Sequence, residues 1–344
     1  MNKKNRTALI ITILLGAIVF WLVINKRKGT INEELRDFAF RDTAAITKIF
    51  LADKAGSTIT LDKIKQGEWK LNNKYSVRKD AIDLLLYTIK SIEVREPIGK
   101  NAKENIIKRL ASQSTKVEIY QGDKLAKVYY VGGETADHTG TYMLLVNPET
   151  GENYPAPFIM YIPGFDGYLT TRYFTNEAEW RDRTVFKYIP SQIKSVKVEF
   201  LGFPQNSYEL SVFGNNKFEI KNLKDNAPIP NFDTIAVKQY LSYFENINYE
   251  ALITDITKQR KDFIIQHELF GTITITDATG NKNSVRMFHK AAQEDQLEVT
   301  GEPMKYDPDR MFALINNDED FILIQFYTFG KLLQPIDYFL KKGK

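Results

Sequence analysis

The chain has 344 residues, 43% apolar and 26% charged, which is enough for about two domains and excludes a disordered polymer. Its formal charge of +4 rests on six basic residues among the first 28. Setting these aside leaves 41 basic against 43 acidic residues, which removes the basic face a nucleic acid partner needs. Cysteine is absent, which excludes disulfides, thiolate metal sites, a cysteine nucleophile and lipid attachment through cysteine.

The first feature in chain order is the uncharged run from Ala8 to Ile24, with Lys3, Lys4 and Arg6 before it and Lys26, Arg27 and Lys28 after it. At roughly 1.5 Å per residue this run predicts one transmembrane helix crossing most of a bilayer core. It exceeds the roughly 7 to 15 apolar residues of a signal peptide and runs into basic residues instead of a small-residue cleavage site, so a retained anchor is expected. Trp21 occupies the position of an interfacial aromatic. The basic flanks are balanced, and Glu33, Glu34 and Asp37 lean toward an N-terminus inside. The expected location is the inner membrane, single pass, with a periplasmic soluble region.

From Ile46 to Leu71 the chain reads as a meander, ITKIFLAD, TITL and EWKL, with turns at Lys54-Ala55-Gly56-Ser57 and Gln66-Gly67. A helix follows, with Ile82, Leu85, Leu86, Ile89 and Ile92 on one stripe. From Ile193 the plan recurs: IKSVKVEF, YELSVF and KFEIKNL, then a helix carrying Val237, Tyr240, Leu241, Phe244 and Ile247 at the same spacing. Strands at Val117–Tyr120 and Ile273–Thr276 complete the match. The offset grows from 147 residues at Ile46 and Ile193 to 155 at Ile82 and Val237, and to 156 at Val117 and Ile273, an order expected of a tandem duplication. Phe321 to Tyr327 reads as a last apolar strand, followed by an apolar stretch from Lys331 to Leu340.

The expected fold class is therefore α+β: one N-terminal transmembrane helix, then two tandem copies of a unit in which an antiparallel β-meander packs on an amphipathic helix. The expected bounds are 1–28 for tail and anchor, 29–43 for a linker, 44–188 for the first repeat and 189–344 for the second.

The loops carry the candidate sites. Gly132 to Tyr142 is rich in glycine and polar residues, but it leads into a strand and lacks the P-loop lysine, so a hairpin turn is expected. Beyond it Phe158, Tyr161, Tyr168 and Tyr173 crowd a proline-rich segment and form a candidate ligand surface for glycan or peptide, core burial being the commoner fate of such rings. Trp180-Arg181-Asp182-Arg183 is a candidate clasp between repeats, or a grip on an anionic partner. His138, His267 and His289 lack metal-pair spacing, and Asp307, Asp309 and Asp318 to Asp320 lack the spacing of a calcium loop. No nucleophile elbow, zinc helix, Walker loop or dinucleotide fingerprint occurs, so no catalytic residue, cofactor or metal is expected.

The apolar anchor, Trp69-Lys70-Leu71, the Tyr75 to Ile92 helix, the Gly132 to Tyr142 segment and Trp180 to Arg183 together resemble the bacterial family DUF4340, a domain of unknown function. The resemblance implies an envelope protein encoded beside ABC-type transporter subunits of the gliding-motility kind, and it supplies no catalytic residues. The expected function is a non-enzymatic, membrane-anchored accessory or scaffold subunit of a transporter, motility or secretion complex. A periplasmic glycan- or peptide-binding module is the alternative, and an envelope hydrolase the third reading.

Overall fold

A computed structural model describes residues 14–21, 33–214 and 216–341. The chain divides into two compact units, Met1–Arg181 and Asp182–Lys344.

In unit 1, strands β1 (Lys48–Ala52), β2 (Thr58–Lys65), β3 (Glu68–Leu71) and β4 (Tyr75–Ser76) form the meander. Asp53 shapes its first turn, its Oδ1 accepting from the backbone N–H groups of Ala55 and Ser57 at 2.9 Å. Helix α1 (Lys79–Ser91), β5 (Glu93–Pro97) and helix α2 (Lys100–Ser112) lead to β6 (Thr115–Gln121), β7 (Lys124–Glu134), β8 (Thr141–Val146) and β9 (Phe158–Tyr161). The strands form one nine-stranded sheet in the order β4-β3-β2-β1-β6-β7-β8-β9-β5, antiparallel throughout.

Strand alternation sends successive side chains to opposite faces. On one face Tyr129, Val131, Met143 and Leu145 meet the core that holds Ile82, Leu85 and Ile89 of α1. On the other, Leu144, Tyr130 and Tyr142 meet Ile106 and Leu110 of α2. The unit closes with the short helix α3 (Glu177–Trp180).

Unit 2 opens with β10 (Thr184–Phe186), which pairs with β14 (Ile247–Asn248). Its main sheet contains β11 (Ile193–Phe200), β12 (Tyr208–Val212) and β13 (Phe218–Asn222), and after helix α4 (Thr234–Ser242) the short β15 (Ala251–Leu252). Helix α5 (Lys258–His267) then precedes β16 (Leu269–Asp277), β17 (Lys282–Ala291), β18 (Tyr306–Ile315) and β19 (Asp320–Gln325), and helix α6 (Phe326–Phe329) follows. The order is β13-β12-β11-β16-β17-β18-β19-β15, which repeats unit 1 without its edge strand β4. The two faces again divide: Val285, Met287, Met311 and Ala313 join the core with Val237, Tyr240 and Leu241 of α4, whereas Phe288, Phe312 and Leu314 join Ile264 of α5.

Two expectations are corrected. The α+β class gives way to a mostly β chain, with antiparallel sheets of nine, two and eight strands, because the strands that the meanders begin continue through β6 to β9 and β16 to β19. The transmembrane helix is corrected as well, since no helix among the described residues is long and apolar enough to cross a membrane. The longest labelled helices, α1 and α2, have 13 residues each, against the roughly 20 apolar residues a span takes. Of the Ala8 to Ile24 run, residues 14–21 are described, as a helical stretch, and the remainder of the run and both basic flanks lie outside the described residues. The single-pass anchor, the membrane as a partner and the inner-membrane location with a periplasmic region are corrected on the same finding.

Candidate functional site

The residues singled out from sequence do not converge. Phe158 and Tyr173 are buried in the unit 1 core: Phe158 meets the Phe38 ring edge-on, and the Tyr173 hydroxyl lies 3.3 Å from that of Tyr129. Burial pushes both hydroxyls' pKa values up, so these tyrosines stay protonated. Tyr161 and Tyr168 are half-buried, the latter beside His138 at the tip of the β7–β8 hairpin, with ring centroids 6.2 Å apart. The four aromatics thus split between interior and surface.

Trp180 is fully buried, stacked on Phe174 at 4.2 Å, and its Nε1 donates to the Phe174 carbonyl at 2.9 Å. Arg181 is buried with its guanidinium 3.7 Å from the centre of the Tyr75 ring. Asp182 caps its own strand, Oδ1 accepting from the N–H of Thr184 at 2.7 Å, and its carbonyl accepts from the Tyr249 hydroxyl at 3.3 Å. The Arg183 carbonyl accepts from the Tyr249 N–H at 2.9 Å. Trp180 and Arg181 thus anchor the end of unit 1, and Asp182 and Arg183 the start of unit 2, each within its own unit.

A cavity of about 420 Å³ lies elsewhere in unit 1, where the C-terminal end of α2 covers the sheet. Its apolar floor comes from Ile106, Leu110 and Val131, and Lys54 lies on its rim. Space exists there because β7 carries Gly132 and Gly133 where the ladder with β8 shifts register, between Val131 and Glu134. A Cβ placed on Gly132 would lie 2.5 Å from Leu110 Cδ2 and 3.1 Å from the Tyr142 carbonyl oxygen, so a side chain there would force Leu110 to shift. A Cβ on Gly133 would instead stand 3.7 Å from Arg109 Nη2, an ordinary contact.

The polar groups on this cavity are unequal. The Asp53 carboxylate is already occupied, accepting from the Thr175 hydroxyl at 2.6 Å and from its own turn, and these bonds hold its pKa below the usual carboxylate range. Ser112 donates to main-chain carbonyls of α2 at 3.2 Å, and Thr170 to the Gly132 carbonyl at 2.7 Å. Arg109, by contrast, makes no ion pair among the described residues. Ser114 is 7% exposed and its hydroxyl has no hydrogen-bond partner. A buried hydroxyl left unpaired costs about 1–3 kcal/mol, which an incoming acceptor would recover. A guanidinium fork and an orphaned donor lining one cavity with an apolar floor suit an anionic group on a largely apolar ligand.

Sequence reasoning passed over this site because it passed over α2. That helix buries only Ile106 and Leu110, so its apolar signal is thin, and Arg109 looks like any cation on a solvated face. The spacing of Ile106 and Leu110 before the strand at Thr115 was the available signal. The Gly132 to Tyr142 segment is a hairpin, and its first two glycines nevertheless line the cavity.

A family model described as a domain of unknown function, DUF4340, matches residues 69–263, more than half of the chain. No match is found among curated proteins. Among solved structures the chain is similar to a protein with unknown function of the DUF3598 family from Nostoc punctiforme, at 7% identity over 81% of this chain and 91% of that one, with a TM-score of 0.10. A likeness at that score carries no argument about fold or function.

Proposed function

The chain belongs to the DUF4340 family, a domain of unknown function, and on that premise we propose that it is a non-enzymatic accessory protein that works by binding. The cavity under α2 takes an anionic group, carboxylate or phosphate, borne on an apolar ligand or on a partner's chain end. One observation carries the reading: the Arg109 guanidinium, without an ion-pair partner among the described residues, shares a cavity with the buried, unpaired Ser114 hydroxyl. Binding is favoured over catalysis because Asp53, the carboxylate on the cavity, spends its oxygens on its own turn and on Thr175, which leaves it poorly placed to take a proton.

Titration of the full chain with hexanoate and with hexyl phosphate, followed by ligand-observed NMR, tests this. Saturable binding is expected, weakened at least tenfold by Arg109→Gln. Gly133→Val, which fills the cavity and removes no charge, is expected to weaken it equally. Equal binding of hexanol, or binding unchanged in both variants, would overturn the reading, as would hydrolysis of hexyl phosphate to hexanol and inorganic phosphate, which would point to an enzyme instead.

A further inference from the structure

We infer that unit 2 carries a second ligand site, at the place in its own fold that the α2 cavity occupies in unit 1, and that this site takes an aromatic ring bearing a negative charge. It is independent of the function proposed for the unit 1 cavity.

Register locates it. In unit 1 Val117 pairs with Tyr129, and Val131 with Met143; in unit 2 Ile273 pairs with Val285, and Met287 with Ala313. Aligning these pairs puts Phe288 and His289 at the places of Gly132 and Gly133, and Phe312 at the place of Tyr142. By the same register the place of Ser114 falls at Phe270, and Glu268 lies two residues before it, directly ahead of β16. A cavity of about 430 Å³ lies here too, under α5, bordered by Glu268, His289 and Phe312. The shared topology leaves the same opening beneath the second helix of each unit, and the side chains give each its chemistry.

In unit 2 that chemistry is aromatic. His289 and Tyr306 stack at 4.0 Å with their planes 14° apart, and Phe270 meets His289 edge-on at 5.2 Å. Phe263, also on the cavity, stacks one face on His267 at 4.6 Å and is still 55% exposed, so the rest of the ring remains open to a ligand. The charges favour an anion. Arg260 and Lys305 stand against Glu268, and burial, only partly opposed by Glu268, keeps the pKa of His289 below its usual value, so the imidazole is neutral at pH 7. One net positive charge beside the four rings that line the cavity, Phe263, His289, Tyr306 and Phe312, suits an aryl carboxylate, and a neutral arene would leave that charge unanswered.

Isothermal titration of the full chain with 2-naphthoate tests this. Saturable binding is expected, weakened at least tenfold by the double variant Arg260→Glu, Lys305→Glu, whose side chains are exposed and whose fold can be checked by circular dichroism. Phe263→Ser should weaken binding severalfold. The neutral 2-naphthylmethanol should bind at least tenfold less tightly. The inference is overturned by no saturable binding at millimolar 2-naphthoate, by equal binding of the alcohol, or by a double variant that binds like the parent. Any 2-naphthoate held in the unit 1 cavity should be lost in Arg109→Gln, whereas the site that the double variant removes should be unchanged there; loss of all binding in Arg109→Gln would place the ligand in unit 1 and overturn the inference as well.

Discussion

At the scale of single residues, Asp307 shows how a buried charge ties unit 2 to pH. Its carboxylate is 1% exposed, accepting from Lys290 Nζ at 2.7 Å and from the N–H groups of Asp309 at 2.9 Å and Arg310 at 3.0 Å. Burial pushes its pKa up, but these donors outweigh burial and hold it below the ordinary 3.8. A carboxylate with a lower pKa folded than unfolded binds fewer protons when folded. Its stabilisation is therefore complete above the unfolded value and is lost as pH falls through the folded one. Asp307→Asn is expected to lower unit 2 stability at pH 7 by about 1.5–3 kcal/mol, the worth of hydrogen bonds to a charged group. The gap between parent and variant should close below pH 4, which urea unfolding across the acid range would show. A gap of constant size down to pH 2 would mean that Asp307 acts through shape and not through charge.

At the scale of elements, the strands and the first helix of each unit were legible because each repeats its apolar residues at the period of its geometry. Ile49 and Leu51 alternate into the core, and Ile82, Leu85 and Ile89 return at helical spacing. The α4 stripe illustrates a limit. Val237, Tyr240 and Leu241 lie on the helix, whereas Phe244 and Ile247, read as its continuation, fall beyond Ser242 and are buried all the same. The second helices escaped notice because burying one or two side chains leaves almost no period to read, and the cavities lie beneath those helices. The aromatic cluster misled for the opposite reason: composition marks rings that prefer burial as well as rings that bind, and Phe158 and Tyr173 took the first course. Helix starts are better specified. Asp233 caps α4, its Oδ1 accepting from the N–H of Ile235 at 2.8 Å, whereas α1 has no side-chain cap and begins where the Arg78 N–H donates to the Trp180 carbonyl at 2.7 Å. Asp233→Ala should therefore lower unit 2 stability by about 1 kcal/mol and Asp233→Asn hardly at all. The urea midpoint followed by circular dichroism measures both.

At the scale of the whole molecule, each unit fills its core from its own residues. One core draws on residues from Phe38 to Trp180, the other on residues from Val185 to Phe339. Two separate cores predict two unfolding transitions, and the tryptophans supply a way to see them apart. The chain has three, Trp21, Trp69 and Trp180, all in unit 1, so fluorescence excited at the indole band reports on that unit alone, whereas circular dichroism reports on both. A substitution confined to unit 2 should then move one signal and not the other. Gly271 provides it: the residue pairs with Phe200 at the centre of the sheet, and a Cβ there would lie 2.4 Å from the Glu199 carbonyl oxygen, a backbone atom that moves only if the strands part. Gly271→Ala should cost unit 2 about 1–3 kcal/mol, the range for overpacking. The unit 2 part of the dichroism curve should shift to lower urea while the fluorescence midpoint stays in place. Trp180→Phe, which keeps a ring on Phe174 but removes the hydrogen bond from Nε1, should do the reverse, lowering the unit 1 transition, read from Trp69, by about 1 kcal/mol. If Gly271→Ala moved both signals together, the two cores would unfold as one cooperative body, and stability could not be assigned to either unit by itself.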